Sequence, residues 1–134
     1  MTKIVINKQH GGFGLSPKAQ KRYLELVGKK CYFYHHSLEK YSRVPMRNAR
    51  RLFIITVTQN LGDSPSEIPN DVYWHDRDLD RNDPLLIQVI NELGKDANSE
   101  YSDLEIIEIP DDVEWEIEEY DGWETIHEKH RSWE

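Results

Sequence analysis

The sequence predicts an α+β fold: a single-layer sheet, mixed or antiparallel, of four to six strands, with two main helices and a short C-terminal helix. Contiguous β-branched runs, KIVIN and LFIITVT, are typical of buried strands. Two polar residues that each precede a proline, in Ser16–Pro17 and Asp83–Pro84, are typical helix starts. In VEWEIE, apolar and acidic residues alternate with the period of a half-exposed strand.

Three strands and one helix are predicted in the first half of the chain. The helix begins after Ser16 and extends over residues 17–27, because apolar residues recur at helical spacing and Gly28 suits a left-handed stop. The basic stretch 40–51 is broken by Pro45 and is predicted to be a loop. The strands are the apolar or aromatic runs Lys3–Asn7, Cys31–His35 and Leu52–Thr58.

The second half begins with a loop rich in Gly, Pro and Asn at 60–70 and a short strand at Val72–His75. A helix then runs from Asp83–Pro84 to Gly94, with an apolar stripe on one face. Leu104–Ile109 and the alternating stretch 113–118 are predicted to form a hairpin with an acidic outer face. A final short helix, capped by Asp121, completes a single domain over residues 1–134.

Charge is divided unevenly along the chain. Residues 1–51 hold 12 Lys or Arg and 2 Glu, a net of +10, whereas residues 52–134 hold 5 Lys or Arg and 23 Asp or Glu, a net of −18. Such a division marks either an interaction surface or two halves that face each other. One cysteine, no signal-like N-terminus and no apolar run of about 18 residues favour a cytoplasmic protein that crosses no membrane.

Several separated blocks resemble one known family. They are GGF-L-S after the first strand, R-x-DP and ELG around the second helix, IPDDVEW-I-EYDG, and a closing E-x-HR-x-W, within residues 4–16 and 81–133. Small, largely uncharacterised proteins with this pattern are found mostly in tailed bacteriophages and in some bacteria. The resemblance implies an accessory phage protein that acts in the host cytoplasm, and it brings no reaction, cofactor or catalytic residue.

A glycine loop between the first strand and helix is the first candidate ligand site. Its unpaired amides and the helix N-terminus favour an anion, so a phosphorylated ligand or nucleotide, bound there with the C-terminal His/Trp helix, is one hypothesis. The alternative, a tight turn that lets apolar side chains enter the core, is favoured, because Pro17 replaces the third glycine of the dinucleotide pattern. The residues proposed for this site are Gly11, Gly12, Phe13, Ser16, His127, His130 and Arg131.

Metal and acid–base sites are the next candidates. The Asp76, Asp78 and Asp80 series mimics a calcium loop, but Arg81 stands where glycine is needed, so no metal and no cofactor is predicted. A group of Glu124, His127, His130 and Arg131 with Asp121 has the residue types of an acid–base site. No nucleophile accompanies it, so a non-enzymatic protein is favoured and no catalytic residue is assigned.

The acidic stretch gives the strongest charge signal. It is either the solvated face of a sheet or a surface that imitates a phosphate backbone and binds a host protein, such as a defence or nucleic-acid-handling protein. The acidic remainder argues against direct nucleic-acid binding, and a homodimer remains an alternative. The residues proposed for partner binding are Asp111, Asp112, Glu114, Glu116, Glu118, Glu119, Asp121 and Glu124, with the basic Arg43, Arg47, Arg50 and Arg51.

Overall fold

The computed structural model describes residues 1–37, 40–50 and 54–129. These residues form two α-helices, seven strands and several short 3-10 turns, so the predicted α+β class is confirmed. The helices are α1 (Pro17–Leu26) and α2 (Pro84–Leu93). The strands are β1 (Thr2–Asn7), β2 (Tyr32–Ser37), β3 (Lys40–Val44), β4 (Ile55–Val57), β5 (Leu104–Ile109), β6 (Trp115–Tyr120) and β7 (Trp123–Glu128).

Both helices begin as the sequence predicts. The Ser16 hydroxyl accepts a hydrogen bond from the Ala19 amide, and the Asp83 carboxylate accepts one from the Leu85 amide. These bonds satisfy amides that have no partner within the first turn. Gly94 ends α2 with a φ of 57°. Within the described part of the chain, neither helix has the length and apolar character needed to cross a bilayer.

The strands form three small antiparallel sheets and not the predicted single layer. Their orders are β1-β5, β3-β2-β4 and β6-β7. Irregular backbone takes the edge hydrogen bonds that further strands would need in a larger sheet. The Val5 amide of β1 donates to the Arg81 carbonyl, and the Trp74 amide donates to the Thr56 carbonyl of β4. Neither the propensity nor the alternation of a strand predicts such covering segments.

Two apolar cores result. The larger lies between α1, α2 and the β1-β5 sheet, with Val5, Leu15 and Leu86 fully buried. The smaller lies under the 60–72 segment, where Tyr34 and Val57 are fully buried. The packing is therefore shared between two sites of modest size, as expected for a chain in which 37% of residues are hydrophobic.

Several element predictions are wrong. Within the stretch 40–51, predicted to be a loop or irregular excursion, Lys40–Val44 form β3 and pair with β2, whereas residues 45–50 are irregular apart from a 3-10 turn. Val72–His75 makes a single bridge from Tyr73 to Val57 instead of a strand. β5 pairs with β1, so the predicted hairpin of 104–109 with 113–118 does not form. Of the predicted strand over 52–58, Ile55–Val57 is confirmed, while 51–53 lie outside the described residues.

The predicted C-terminal helix is also wrong. Residues 123–128 form β7, which pairs with β6 from Trp123 to Glu128. Asp121 has a φ of 50° and Gly122 a φ of 87°, so Asp121 is a turn residue and not a helix cap. Positive φ at both positions is typical of the tight turn that joins two hairpin strands.

Candidate interaction surface

The outer face of the β6-β7 hairpin carries a row of acidic and aromatic side chains. Glu116 lies opposite His127, Glu118 opposite Thr125, and Tyr120 opposite Trp123. Residues directly opposite each other share a face, so these six side chains point the same way. Glu114 precedes the strand with the same parity and is exposed. The predicted acidic face is therefore an element of the fold, although its partner strand is β7.

The backbone N–H and C=O groups of β6 point alternately toward β7 and away from it. The Lys129 amide donates to the Glu114 carbonyl at 2.9 Å, which continues the β6-β7 register by one pair. Hydrogen-bonded and non-bonded pairs alternate in an antiparallel ladder, so Glu116, Glu118 and Tyr120 bond to β7. The intervening residues turn their N–H and C=O groups away from β7; they are Trp115, Ile117 and Glu119. Over the described ranges, no strand pairs along that side of β6.

A buried ion pair fastens the hairpin to the body of the protein. The two terminal guanidinium nitrogens of Arg81, Nη1 and Nη2, donate to the Glu124 carboxylate, at 2.6 and 2.7 Å. The backbone amide of Asn7 donates to the same carboxylate at 2.8 Å. The Arg81 guanidinium also lies 3.7 Å from the centre of the Phe13 ring. Glu124, predicted as part of the acidic surface and as an acid–base residue, is thus a buried anchor with only 4% of its surface exposed.

Asn7 joins three segments at the base of the hairpin. Its amide nitrogen Nδ2 donates to the carbonyls of Gln9 and Gly122, both at 2.7 Å. Its Oδ1 accepts from the Asp103 amide at 2.8 Å. The side chain is fully buried. Because every donor and acceptor of this amide is aimed at a different segment, Asn7 fixes the position of the hairpin turn relative to β1 and β5.

The glycine loop packs against the hairpin turn. A Cβ added to Gly122 would collide with the backbone nitrogens of Gly11 and Gly12, and one added to Gly11 would collide with Tyr101. The glycines therefore permit a close approach of backbone to backbone. Ser16 caps α1 and donates to the Asp96 carbonyl at 2.6 Å.

The remaining residues of the predicted ligand site lie apart from that loop or outside the described residues. His127 lies on the outer hairpin face, with its Nε2 2.7 Å from the Thr125 hydroxyl and 3.3 Å from Glu118. His130 and Arg131 lie outside the described residues. The structure therefore joins the glycine loop to Gly122 and Tyr101, and it places His127 on a different surface.

An aromatic cleft lies at the turn end of the outer face. It has a volume of about 370 Å³ and is lined by His10, Tyr120 and Trp123 with the acidic Glu118 and Glu119. The His10 ring lies 5.4 Å from Trp123 and 6.4 Å from Tyr120 between ring centres. Tyr120 and Trp123 are 81% and 40% exposed. Sequence reasoning missed this cleft, and the Asp121–Gly122 turn signal between two aromatic residues was the clue to it.

Other predicted partner-binding residues lie elsewhere on the surface. Asp111 binds the Thr2 hydroxyl at 2.8 Å and the N-terminal ammonium at 3.2 Å, and these contacts hold its pKa below the usual range. Asp112 is exposed, and Glu119, on β6, is exposed beside the aromatic cleft that it lines. Arg43 pairs with Asp63 at 2.8 Å, whereas Arg47 and Arg50 are exposed on the segment after β3. Arg51 lies outside the described residues.

The described residues supply neither a metal cluster nor an activated thiol. Within 1–37, 40–50 and 54–129, no three His, Cys, Asp or Glu side chains converge to hold a metal ion. Asp76, from the calcium-like series, is buried and accepts the Leu15 amide at 2.9 Å. Burial raises the pKa of Cys31 to about 12, so this thiol is protonated at neutral pH.

Comparisons with known proteins add no relative. A scan against protein-family models, a search of curated proteins and a search of solved structures found no match. The phage-family resemblance therefore stays a prediction.

Proposed function

We propose that this is a non-enzymatic binding protein that attaches to a basic surface of a host protein and modulates or inhibits it. The row of carboxylates on the outer strand of the hairpin carries this proposal. Glu114, Glu116 and Glu118 share one exposed face of a strand that lies at the edge of its sheet. A defence or nucleic-acid-handling protein is the target class, because such proteins present basic surfaces to phosphates.

Ion pairs elsewhere support the choice of this surface. Surface ion pairs join the basic first half of the sequence to the acidic second half, so several charges are matched within the chain. Among the described residues, however, neither Glu114 nor Glu116 has a cation within 4 Å, and Glu118 contacts only His127. The hairpin therefore holds negative charge that the fold does not neutralise. The matched pairs are Lys3–Glu108 at 3.9 Å, Lys8–Glu105 at 3.2 Å, Lys18–Asp96 at 3.6 Å and Arg22–Glu92 at 2.7 Å.

The spacing of the carboxylates favours recognition of a basic protein patch over close imitation of a DNA duplex. Alternate residues of an antiparallel strand lie about 6.8 Å apart, since the rise is roughly 3.4 Å per residue. A DNA strand carries one charge per roughly 3.4 Å of axis. The hairpin thus has about half the linear charge of one strand, enough to complement a few Lys or Arg side chains.

The test is affinity capture from a lysate of the bacterial host with two charge-matched variants. One variant changes Glu114, Glu116 and Glu118 to Lys. The control changes three exposed acids of the 60–80 region, Glu67, Asp71 and Asp78, to Lys and alters the net charge by the same amount. Wild type and control should retain one stoichiometric partner that salt releases, and the hairpin variant should lose it.

Equal retention by both variants would contradict the proposal, because net charge and not the hairpin face would then explain binding. Retention of no specific partner at any salt concentration would contradict it as well. Circular dichroism of both variants checks that each is folded before capture.

A further inference from the structure

We infer that the hairpin takes its partner by strand addition: an extended segment of alternating basic and apolar residues pairs antiparallel along the free side of β6. This inference rests on the proposed function and names the form of the partner. It follows from the backbone geometry of β6 together with the chemistry of its two faces.

Within residues 1–37, 40–50 and 54–129, the free side of β6 presents a regular set of backbone groups that pair with no other strand. The N–H and C=O groups of Trp115, Ile117 and Glu119 point away from β7, as the register and the bond from Lys129 to Glu114 require. Such an edge is a template for another strand. Main-chain bonds along it supply affinity, and alternate side chains supply specificity. We assign the antiparallel direction because that pairing is the more stable per residue.

Edges of β1, β3 and β4 are partly covered, whereas the second edges of β5 and β7 also pair with no strand among the described residues. The Val5 and Asn7 amides of β1 donate to Arg81 and Glu124. The Arg43 amide of β3 donates to the Asp63 carbonyl. On β4, the Thr56 carbonyl accepts from Trp74. The row of carboxylates on its outer face, and not an open edge alone, therefore distinguishes β6 as the site of strand addition.

The two faces of β6 prescribe the partner's side chains. On the outer face, an added strand would place its residues beside Glu116 and Glu118, which favours Lys or Arg. On the inner face, it would lie beside the half-buried Trp115 and Ile117, which favours apolar residues. The partner segment therefore alternates basic and apolar residues.

At the turn end of the hairpin, the aromatic cleft offers a position for one more basic side chain of the added strand. Tyr120 continues the outer face after Glu118, and its ring and that of Trp123 are exposed beside two carboxylates. A cation above an aromatic face and close to carboxylates is attracted by both. We assign this position to a Lys or Arg of the same segment.

The experiment titrates the protein with short peptides of lysine and valine. One peptide alternates the two residues, and a second has the same composition with the lysines grouped together. Two further versions of the alternating peptide carry N-methyl groups, either on the valine nitrogens or on the lysine nitrogens. In antiparallel addition, the valines lie opposite Trp115, Ile117 and Glu119, so only their amides bond to β6.

Binding is measured by calorimetry, and amide hydrogen exchange of the protein is followed by NMR. The alternating peptide should bind, and the amides of Trp115, Ile117 and Glu119 should exchange more slowly in the complex. The amides of Glu116 and Glu118, which already bond to β7, should change little. Methylation of the valine nitrogens should weaken binding about tenfold or more, whereas methylation of the lysine nitrogens should leave most of it.

Equal affinity for the alternating and grouped peptides, without protection of the three amides, would overturn strand addition while leaving an acidic binding face in place. Failure of all the peptides to bind would also overturn strand addition. In that case the lysate capture with the charge-reversed hairpin separately decides the proposed function.

Discussion

Replacing Arg81 with Met should destabilise the protein strongly, because it removes the positive charge that is paired with the buried Glu124 carboxylate. Glu124 is 4% exposed and accepts two hydrogen bonds from Arg81 and one from the Asn7 amide. Met has a similar length to Arg and preserves apolar contact with Phe13. The variant therefore tests the charge more than the packing.

The expected loss of unfolding free energy depends on which hydrogen bonds the Glu124 carboxylate retains. After the substitution, only the Asn7 amide remains, among the hydrogen bonds described, to stabilise a carboxylate shielded from water. Breaking a buried ion pair by removing one partner costs about 3–5 kcal/mol. A typical domain has a free energy of unfolding of about 5–15 kcal/mol, so the loss is a large share of the total.

Denaturant unfolding measures this loss, and the protein contains a matched control. Arg22 also donates two hydrogen bonds to one carboxylate, from Nε and Nη2 to Glu92 at 2.7 and 3.0 Å, but both side chains are about one-third exposed. Arg22→Met should therefore change the unfolding midpoint far less than Arg81→Met. A double variant, Arg81→Met with Glu124→Gln, should recover part of the stability, because the buried group is then neutral. Similar midpoints for the two single Arg variants would refute the reasoning.

Two further predictions concern the hairpin turn and the single thiol. Gly122→Ala should cost about 3 kcal/mol or more, because it combines left-handed strain with a collision against the Gly11 backbone. Gly28→Ala, at a φ of 79° with open space around the position, should cost only about 1–2 kcal/mol. Equal shifts in denaturant midpoint for the two variants would contradict this prediction. Cys31 has a pKa of about 12 in the fold, above an ordinary value of about 8.5, so the unfolded chain releases this proton first and its contribution to stability falls as pH rises from about 8.5 towards 12. Alkylation of folded protein should accordingly be slow up to about pH 10 and fast in urea, and a folded rate that is half-maximal near pH 8.5 would contradict the burial of this thiol.

Local signals account for the elements that the sequence predicted well. α1 and α2 begin at Ser16–Pro17 and Asp83–Pro84, where the capping bonds lie within three residues of the cap. β1 and β5 are apolar runs bounded by polar or proline residues. In each case the interaction that defines the boundary is short in sequence, so composition and spacing are sufficient to find it.

Pairing with a neighbouring strand, which the pattern of a single segment does not show, accounts for two of the errors. β3, with the basic sequence KYSRV, is a strand because β2 pairs with it, and its own residues give a weak apolar pattern. The spacing of Trp123, Ile126 and His130 fits a helix, which is why the sequence predicts one after Asp121. The Trp, Thr and Ile residues of β7 also favour a strand, and the Asp121–Gly122 turn is the stronger signal of the two.

The candidate surface is predicted only in part, because strand parity is a local property of the sequence and burial is not. Alternation in 113–118 correctly placed Glu114, Glu116 and Glu118 on one face, because strand parity is a local property. The burial of Glu124 was missed, since it depends on Arg81, 43 residues away in the sequence. An acidic residue inside an acidic stretch gives no local indication that one carboxylate is buried and the others are exposed.

The charges on β6 also oppose pairing between the β6 edges of two copies of this chain. Pairing of β6 with β6 of a second copy would place the outer-face carboxylates of the two strands side by side, and like charges at neighbouring cross-strand positions are destabilising. A basic segment meets the same backbone groups with attraction instead of repulsion. The acidic row thus selects between occupants of one edge: it opposes self-pairing and favours a partner of opposite charge. Changing Glu116 and Glu118 to Lys gives a variant whose β6 edge is basic. This edge is complementary in charge to the acidic β6 edge of the wild type, so the two proteins should pair with each other when mixed. Sedimentation should show association in the mixture and less in either protein alone, and the absence of any difference would mean that these carboxylates do not control the edge.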